Sequence, residues 1–503
     1  MRRDGWMKRW QPVLAGAMLL WAGLAMGDVD AQIENYLGVA DLRGTVVSVC
    51  VVDVGRDEVL AEVEENRSMI PASNMKIITT ATALATLGPD FRFSTRLSLL
   101  EDEDGGLPSL LIVGDGDPAF GDPATLASAG YTVDDLMGWW LDAIEATGQT
   151  EFERIVLDDR VFEHGADERV HPTWPKNQLH KWYCAQVMGI NFFNNVFQVQ
   201  ATPTQMGDDV ELAIYPYGPF VRTDLRVQTG RIDQWDIITS ADNNHITFRG
   251  QLRHPQQQRV AMHDPADVLG QLLKRELGRR GITVGEVVRP AADELLPEGR
   301  LLHQINTTLQ AVLNRTNRDS MNLYAEALLK RSGFQLTGVP GSFDNGSAAV
   351  RRFLANHLDD PTLAASIHVA DGSGMSRDNR VTTRALAELL AGMPATASFG
   401  PVLESLARPG QGGTLDSRFS DTDLAGEVYA KSGYLNGVSA LSGYLVYPPL
   451  RAGGSPRYIA FSIVCNGFGS GNARELSNRD MKRLQEEIVA LIDAEVALAA
   501  PRG

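Results

Sequence analysis

Ser73-Asn74-Met75-Lys76 is the stretch on which the reading of this chain turns. The run from Ser73 to Leu87 has helical periodicity and ends at Gly88-Pro89, a helix stop. At the start of a helix, side chains three positions apart share a face, with Cβ atoms about 5–6 Å apart. The Lys76 amine therefore reaches the Ser73 hydroxyl. A serine is a weak nucleophile without an adjacent base. Lysine serves as that base only when burial and a neighbouring cation hold it partly neutral. Taken alone, the same four residues also describe a helix N-cap serine followed by a solvated lysine.

Lysine usage sharpens the choice. The chain has 46 Lys and Arg, but only eight are Lys, at positions 8, 76, 176, 181, 274, 330, 431 and 482. Arginine does the routine surface work. Because Arg does not lose its proton, a retained Lys marks a place where a tunable amine is of use. Lys76 sits in the only S-x-x-K of the sequence, and Lys431 opens Lys431-Ser432-Gly433 at the start of a strand-like run. Lys431 would supply the second positive charge and Ser432 a hydroxyl donor for a carboxylate. Gly433 would leave room for the Ser73 helix to approach. Between them lies Ser320-Met321-Asn322, whose short polar side chains suit proton relay and an amide contact. A second S-x-N stands at Ser470-Gly471-Asn472 in a Gly-rich stretch.

Working outward, Thr45 to Val52 is a β-branched run that predicts a buried strand, with a second strand near Val59-Leu60-Ala61. Beyond Asp90 the texture changes to short runs such as Leu110–Val113, Ile155–Leu157 and Leu212–Ile214, separated by Gly, Pro and Asp. That pattern predicts a β-rich region. One helix is expected near its end, capped by Asp264, with Val268, Leu269, Leu272, Leu273 and Leu277 on one face. Arg289 to Arg300, with two prolines and a glycine, reads as a boundary. Helical periodicity then runs from Leu309 to Leu329. Paired strands are expected at 427–430 and 440–447, a further strand at 458–465, and an amphipathic helix at the end.

At 503 residues the chain is too long for one ordinary core. Its net charge of -17 argues against a nucleic-acid partner. Arg2, Arg3, Lys8 and Arg9, the apolar run from Pro12 to about Met26, and Ala25-Met26-Gly27 follow the pattern of a secretory signal over residues 1–27. Export is therefore expected, with at most a peripheral membrane association. Cys50, Cys184 and Cys465 form no metal pattern; buried thiols or a Cys50–Cys465 disulfide both remain open.

The three motifs together, in the order helix, loop and strand, match the set used by penicillin-binding proteins and serine β-lactamases. The chain resembles the peptidase S13 family of D-alanyl-D-alanine carboxypeptidases and endopeptidases. The resemblance extends to Gly114–Pro118, the Trp174–Asn195 region with Tyr183 and Asn191, Ser320–Leu328, Asp371–Arg377, and Gly413-Thr414-Leu415 with Arg418. The gap of about 245 residues between Ser73 and Ser320 fits an inserted block. One departure is Lys431-Ser432-Gly433, where the family usually has K-T-G.

The resemblance implies an α+β fold. A DD-peptidase domain built from 28–90 and 296–503, an antiparallel sheet flanked by helices, would be interrupted by a β-rich insertion over 91–295, itself two small subdomains. It implies further that Ser73 attacks the bond between two D-alanines of a peptidoglycan stem peptide. Lys76 would take the proton and Ser320 return one to the leaving amine. The Ser73 and Tyr434 N–H groups would hold the oxyanion, Asn322 the peptide, and Lys431 with Ser432 the terminal carboxylate. β-Lactams would acylate the same serine. Asp158 and Arg377 are candidates for the amine and carboxylate of a stem side chain. No cofactor or metal is required. A β-lactamase or esterase on the same fold, or an idle wall-binding protein, would carry the same architecture.

Overall fold

The computed structural model describes residues 29–102, 104–240, 242–449, 454–469 and 476–498. The expected signal segment and the second S-x-N at Ser470 lie outside them.

Helix α1 (Val29–Val39) leads into β1 (Val46–Asp53) and β2 (Glu58–Val63). Nearly all of β1 is buried, which explains why its sequence is continuously apolar rather than alternating. A one-turn helix at Ala72–Asn74 precedes α2 (Met75–Leu87). Ten consecutive α2 residues from Met75 to Leu84 are buried, so this helix runs through the core. Gly88, at φ 84°, ends it as the sequence predicts.

The chain then builds a second sheet from β3 (Arg92–Leu100), β4 (Ser109–Gly114) and β5 (Glu151–Asp158), with α3 (Val133–Glu145) between the last two. Six more strands follow: β6 (Val196–Thr202), β7 (Glu211–Tyr215), β8 (Arg222–Thr229), β9 (Gln234–Thr239), β10 (His245–Leu252) and β11 (Gln256–Ala261). They form two three-stranded sheets, β11-β6-β7 and β8-β10-β9. Next, α4 (Pro265–Arg279), capped by Asp264 as expected, leads to β12 (Thr283–Val288) and β13 (Arg300–Thr308). The second sheet has the order β12-β5-β4-β3-β13. Because β4, β5 and β12 run parallel and are joined through α3 and α4, this region is more helical than its texture suggests.

Two features of the expected layout change. The boundary placed at 295 precedes β13, which pairs with β3 from Arg300↔Leu99 to Thr308↔Arg92 and so belongs to the second sheet. Nor does the core divide the insertion in two. One apolar cluster runs from Ile112 and Ile155 through Phe192 to Val199 and Phe248.

After β13 come α5 (Leu309–Asn317), α6 (Asn322–Thr337), α7 (Phe343–His357) and α8 (Thr383–Gly392). The chain finishes with β14 (Glu427–Leu435), β15 (Val438–Tyr447), β16 (Arg457–Asn466) and α9 (Asn478–Leu498). The first sheet has the order β14-β15-β16-β1-β2 and is antiparallel throughout. Strand β1, from the start of the chain, is thus stitched to β16, from near its end. The fold is α+β: α2 and the α5–α8 helices pack on one face of this sheet, α1 and α9 on the other.

This layering settles the cysteines. Cys50 pairs across the sheet with Ser462 and points into the α2 side, whereas Cys465 lies opposite Val47 and points toward α9. Facing opposite layers, the two cannot bond, and all three thiols are free and buried.

Candidate active site

The Ser73 turn is set by an unusual backbone. Ala72 adopts φ 46°, and Gly374, at φ 82°, packs so tightly that a Cβ there would meet Ala72 O at 1.8 Å. Ser73 does not cap α2. Asn74 holds that position, and no side chain caps the helix. The Ser73 hydroxyl is left for Lys76, whose Nζ lies 3.0 Å from it.

Lys76 is fully buried. Its amine also donates to Asn322 Oδ1 and to Ser373 O, both at 2.7 Å. Two of the three partners are carbonyl acceptors, and the third is a hydroxyl that can donate. A neutral amine, with two N–H groups and one lone pair, satisfies this set completely when Ser73 gives its proton toward Nζ. Burial drives the Lys76 pKa down to about 7, against the pull of Glu326 and Asp371, which favour the charged form.

The helical run expected from Leu309 to Leu329 is broken in the middle. It ends at Asn317 and restarts at Asn322, and Ser320 between them has φ 59°. The break lets Ser320 face the cleft, where its Oγ accepts from Lys431 Nζ at 2.9 Å. Lys431 Nζ also donates to Ser432 O at 2.6 Å. Lys431 is fully buried, and desolvation, followed by repulsion from Lys76, pushes it well below the usual lysine range. Burial is the leading cause at both lysines, and the repulsion between them adds to it.

Asn322 is committed at both ends, with Oδ1 on Lys76 and Nδ2 donating to Tyr183 O at 2.8 Å. In this structure it orients the lysine. Gly433 sits where α2 meets β14; a Cβ there would come to 3.0 Å from Pro71 O and Ser73 N. The Asn74 amide clamps the same junction, with its nitrogen toward Lys431 O at 2.9 Å and its oxygen toward Ser442 N–H at 3.2 Å. Strand β14 is the sheet edge. Tyr434, on it, is 54% exposed, and Ser432 is partly exposed beside it.

Asp158 and Arg377 are not brought together. Asp158 forms a two-pronged pair with Arg160 at 2.8 and 2.9 Å, and it lines a cleft with Arg96, Asp115 and Phe334. Its neighbour in sequence captured it because β5 ends there. Arg377 lies on the loop beside β14 and donates to Asn436 O.

One functional group escaped the sequence reading. Glu326, one turn after Asn322, is fully buried, and its carboxylate accepts from Gly372 N–H and Ser373 N–H, both at 2.8 Å. Ser373 O is in turn a Lys76 acceptor, so Glu326 fixes the loop that fixes the amine. Burial, then Asp371, push its carboxyl upward, while Lys76 favours its ionised form. The available signal was a lone acid four residues after Asn322 in a run of Leu, Tyr and Ala. Asp371 holds the other side of the same loop, accepting from Gly374 N–H, Asn379 Nδ2 and Trp174 Nε1 at 2.7–2.8 Å.

The family model of D-Ala-D-Ala carboxypeptidase 3 (S13) matches residues 29–489, nearly the whole described chain. The chain belongs to the peptidase S13 family. A relative, the D-alanyl-D-alanine carboxypeptidase of an Actinomadura species, is 28% identical over 91% of this chain and 83% of its own. The crystal structure of penicillin binding protein 4 from Haemophilus influenzae superposes with a TM-score of 0.75. It covers 92% of this chain and 99% of that one at 22% identity, which makes the S13 fold common to both. A second structure of that protein, complexed with a β-lactam, gives a TM-score of 0.70 over 93% and 100% of the two chains, at 22% identity.

Proposed function

We propose that the D-Ala-D-Ala hydrolysis for which the S13 family is named runs here through a Ser73 acyl-enzyme. The observation that carries this reading is the buried Lys76 amine with two carbonyl acceptors and one hydroxyl. Ser73 Oγ bonds to the carbonyl carbon of the penultimate D-alanine as its proton passes to Lys76 Nζ. The Ser73 and Tyr434 N–H groups stabilise the oxyanion. The C–N bond then breaks as the leaving amine takes up the proton that Lys76 received, relayed through Ser320, which is hydrogen-bonded to Lys431. Water releases the acyl group by the same path reversed. The stem peptide lies along β14 as an added antiparallel strand beyond the Ala407–Ala430 bridge, where β14 is the outermost strand of the sheet. Ser432, Lys431 and Arg377, all beside this strand, take its carboxylates.

A β-lactam enters by the first step and stays attached. The substrate places the protein outside the cytoplasm; among the described residues, no helix is long and apolar enough to cross a membrane. Residues 91–308 form the inserted unit in this reading.

The test is labelling with a fluorescent penicillin, alongside mass analysis of defined muropeptides. Wild type should label for hours and release D-alanine, and Ser73→Ala should do neither. Label lost within seconds, with no peptide cleaved, would make the chain a β-lactamase instead.

A further inference from the structure

The sheet β11-β6-β7 turns one face to solvent, and its register lays two polar rows across it. Arg259 pairs with Gln198 and Gln198 with Tyr215; beside them Gln257 pairs with Gln200. These side chains line a groove of about 530 Å³. Among the described residues Arg259 has no carboxylate within ion-pairing distance, although the chain holds 63 acidic residues. Its guanidinium instead lies 4.2 Å from the ring centre of Trp182. Arg315, close enough to repel it, is itself paired with Asp122 and Asp319, and Asp122 offsets part of that repulsion without bonding to Arg259. A guanidinium held over an indole, with its donors unspent, is prepared for a carboxylate.

The Trp182–Cys184 turn packs against both β11 and α6, and so links the wall of the groove to that of the cleft. Trp182 is followed directly by Tyr183, whose carbonyl holds Asn322. The segment before Trp182 is sewn to β11 through the Lys181–Val260 bridge and the bond from Ala261 N–H to His180 O. Trp182 and Arg259 therefore stand one turn removed from the Asn322 side of the cleft. The glutamine amides there offer both donors and acceptors, which suits a peptide backbone.

We propose that this groove binds the second stem peptide of a cross-linked substrate, with one of its carboxylates on Arg259. The inference rests on the D-Ala-D-Ala peptidase reading above and extends it to a leaving group that is itself a peptide.

The experiment compares full-length wild type with Arg259→Lys, Arg259→Gln and Arg259→Glu on four probes: a cross-linked peptide dimer without and with its disaccharides, a linear pentapeptide ending in D-Ala-D-Ala, and a fluorescent penicillin. The expected result is a rise in KM for the dimer in the order Lys, Gln, Glu. It should reach about three- to tenfold for Gln, with pentapeptide cleavage and penicillin labelling unchanged. Equal losses on dimer and pentapeptide, or none on the dimer, would overturn the proposal. So would a loss seen only when the dimer carries its disaccharides, since the groove would then read glycan. A wild type that cleaves pentapeptide but not dimer removes this inference alone. A wild type inert toward every probe removes the peptidase reading with it.

Discussion

In the proposed mechanism, Lys76 is the residue whose protonation governs the reaction. With its pKa brought down to about 7 by burial, it must be neutral to take the Ser73 proton. Penicillin acylation should therefore rise with pH through about 7 and level off above it, which a stopped-flow pH series reads directly. Lys76→Arg retains the charge and cannot release a proton, so acylation should fall by at least about 10³-fold while the protein still folds. Glu326 acts through Lys76. Its charge favours the ammonium, so Glu326→Gln should move the acidic limb of that pH profile to lower pH. The amide accepts only one of the two N–H bonds from Gly372 and Ser373. Leaving one buried N–H unpaired should lower stability by about 1–3 kcal/mol, visible as a fall in Tm. Ser73, Lys76, Ser320, Asn322 and Lys431 were all legible from type and spacing. Glu326 was not, because a single acid in an apolar helical run says nothing of the loop that will fold over it.

At the level of elements, the site exists because α2 and β14 touch. Gly433 is the contact, with room for no Cβ between β14 and the backbone of Pro71 and Ser73. Gly433→Ala should push the Ser73 turn away from the strand and lower the acylation rate by about 10²-fold. Circular dichroism and Tm, by contrast, should change little. The elements themselves read with uneven clarity. β1, α2, α4 and the β14–β15 pair announced themselves through unbroken apolar runs or a capped amphipathic face. α3 was passed over, although Thr132 and Asp135 form a capping box and Leu136, Met137, Trp140, Leu141 and Ile144 make its buried stripe. It stands among the short strands β4 and β5, and they coloured the whole block as β. The break between α5 and α6 was hidden for the opposite reason: periodicity continues across it, and only the left-handed φ of Ser320 reveals the turn.

Across the whole molecule, the inserted region is joined to the catalytic helices through a buried carboxylate. Asp122 accepts from Arg315 and Tyr324 on α5 and α6, and from Thr125 and Asn194 within the insertion. Burial opposes its charge, but Arg315 and these hydrogen bonds outweigh burial and hold its pKa below the ordinary value. A depressed carboxyl stabilises the fold fully above its unfolded pKa and progressively less as pH falls through the folded one. Asp122→Asn should therefore cost about 3–5 kcal/mol at neutral pH. Relative to wild type it should also flatten the acid side of the stability profile, measured by denaturant unfolding across pH 3 to 7. The sequence by itself determined a pairing: a serine and a lysine one helical turn apart need no other part of the chain to be neighbours. Which distant groups complete the site, and how dry it is, were decided only when β1 closed against β16 and the loop after Asp371 packed under Lys76. Burial and long-range pairing are properties of the assembled layers, and no local pattern of residues encodes them.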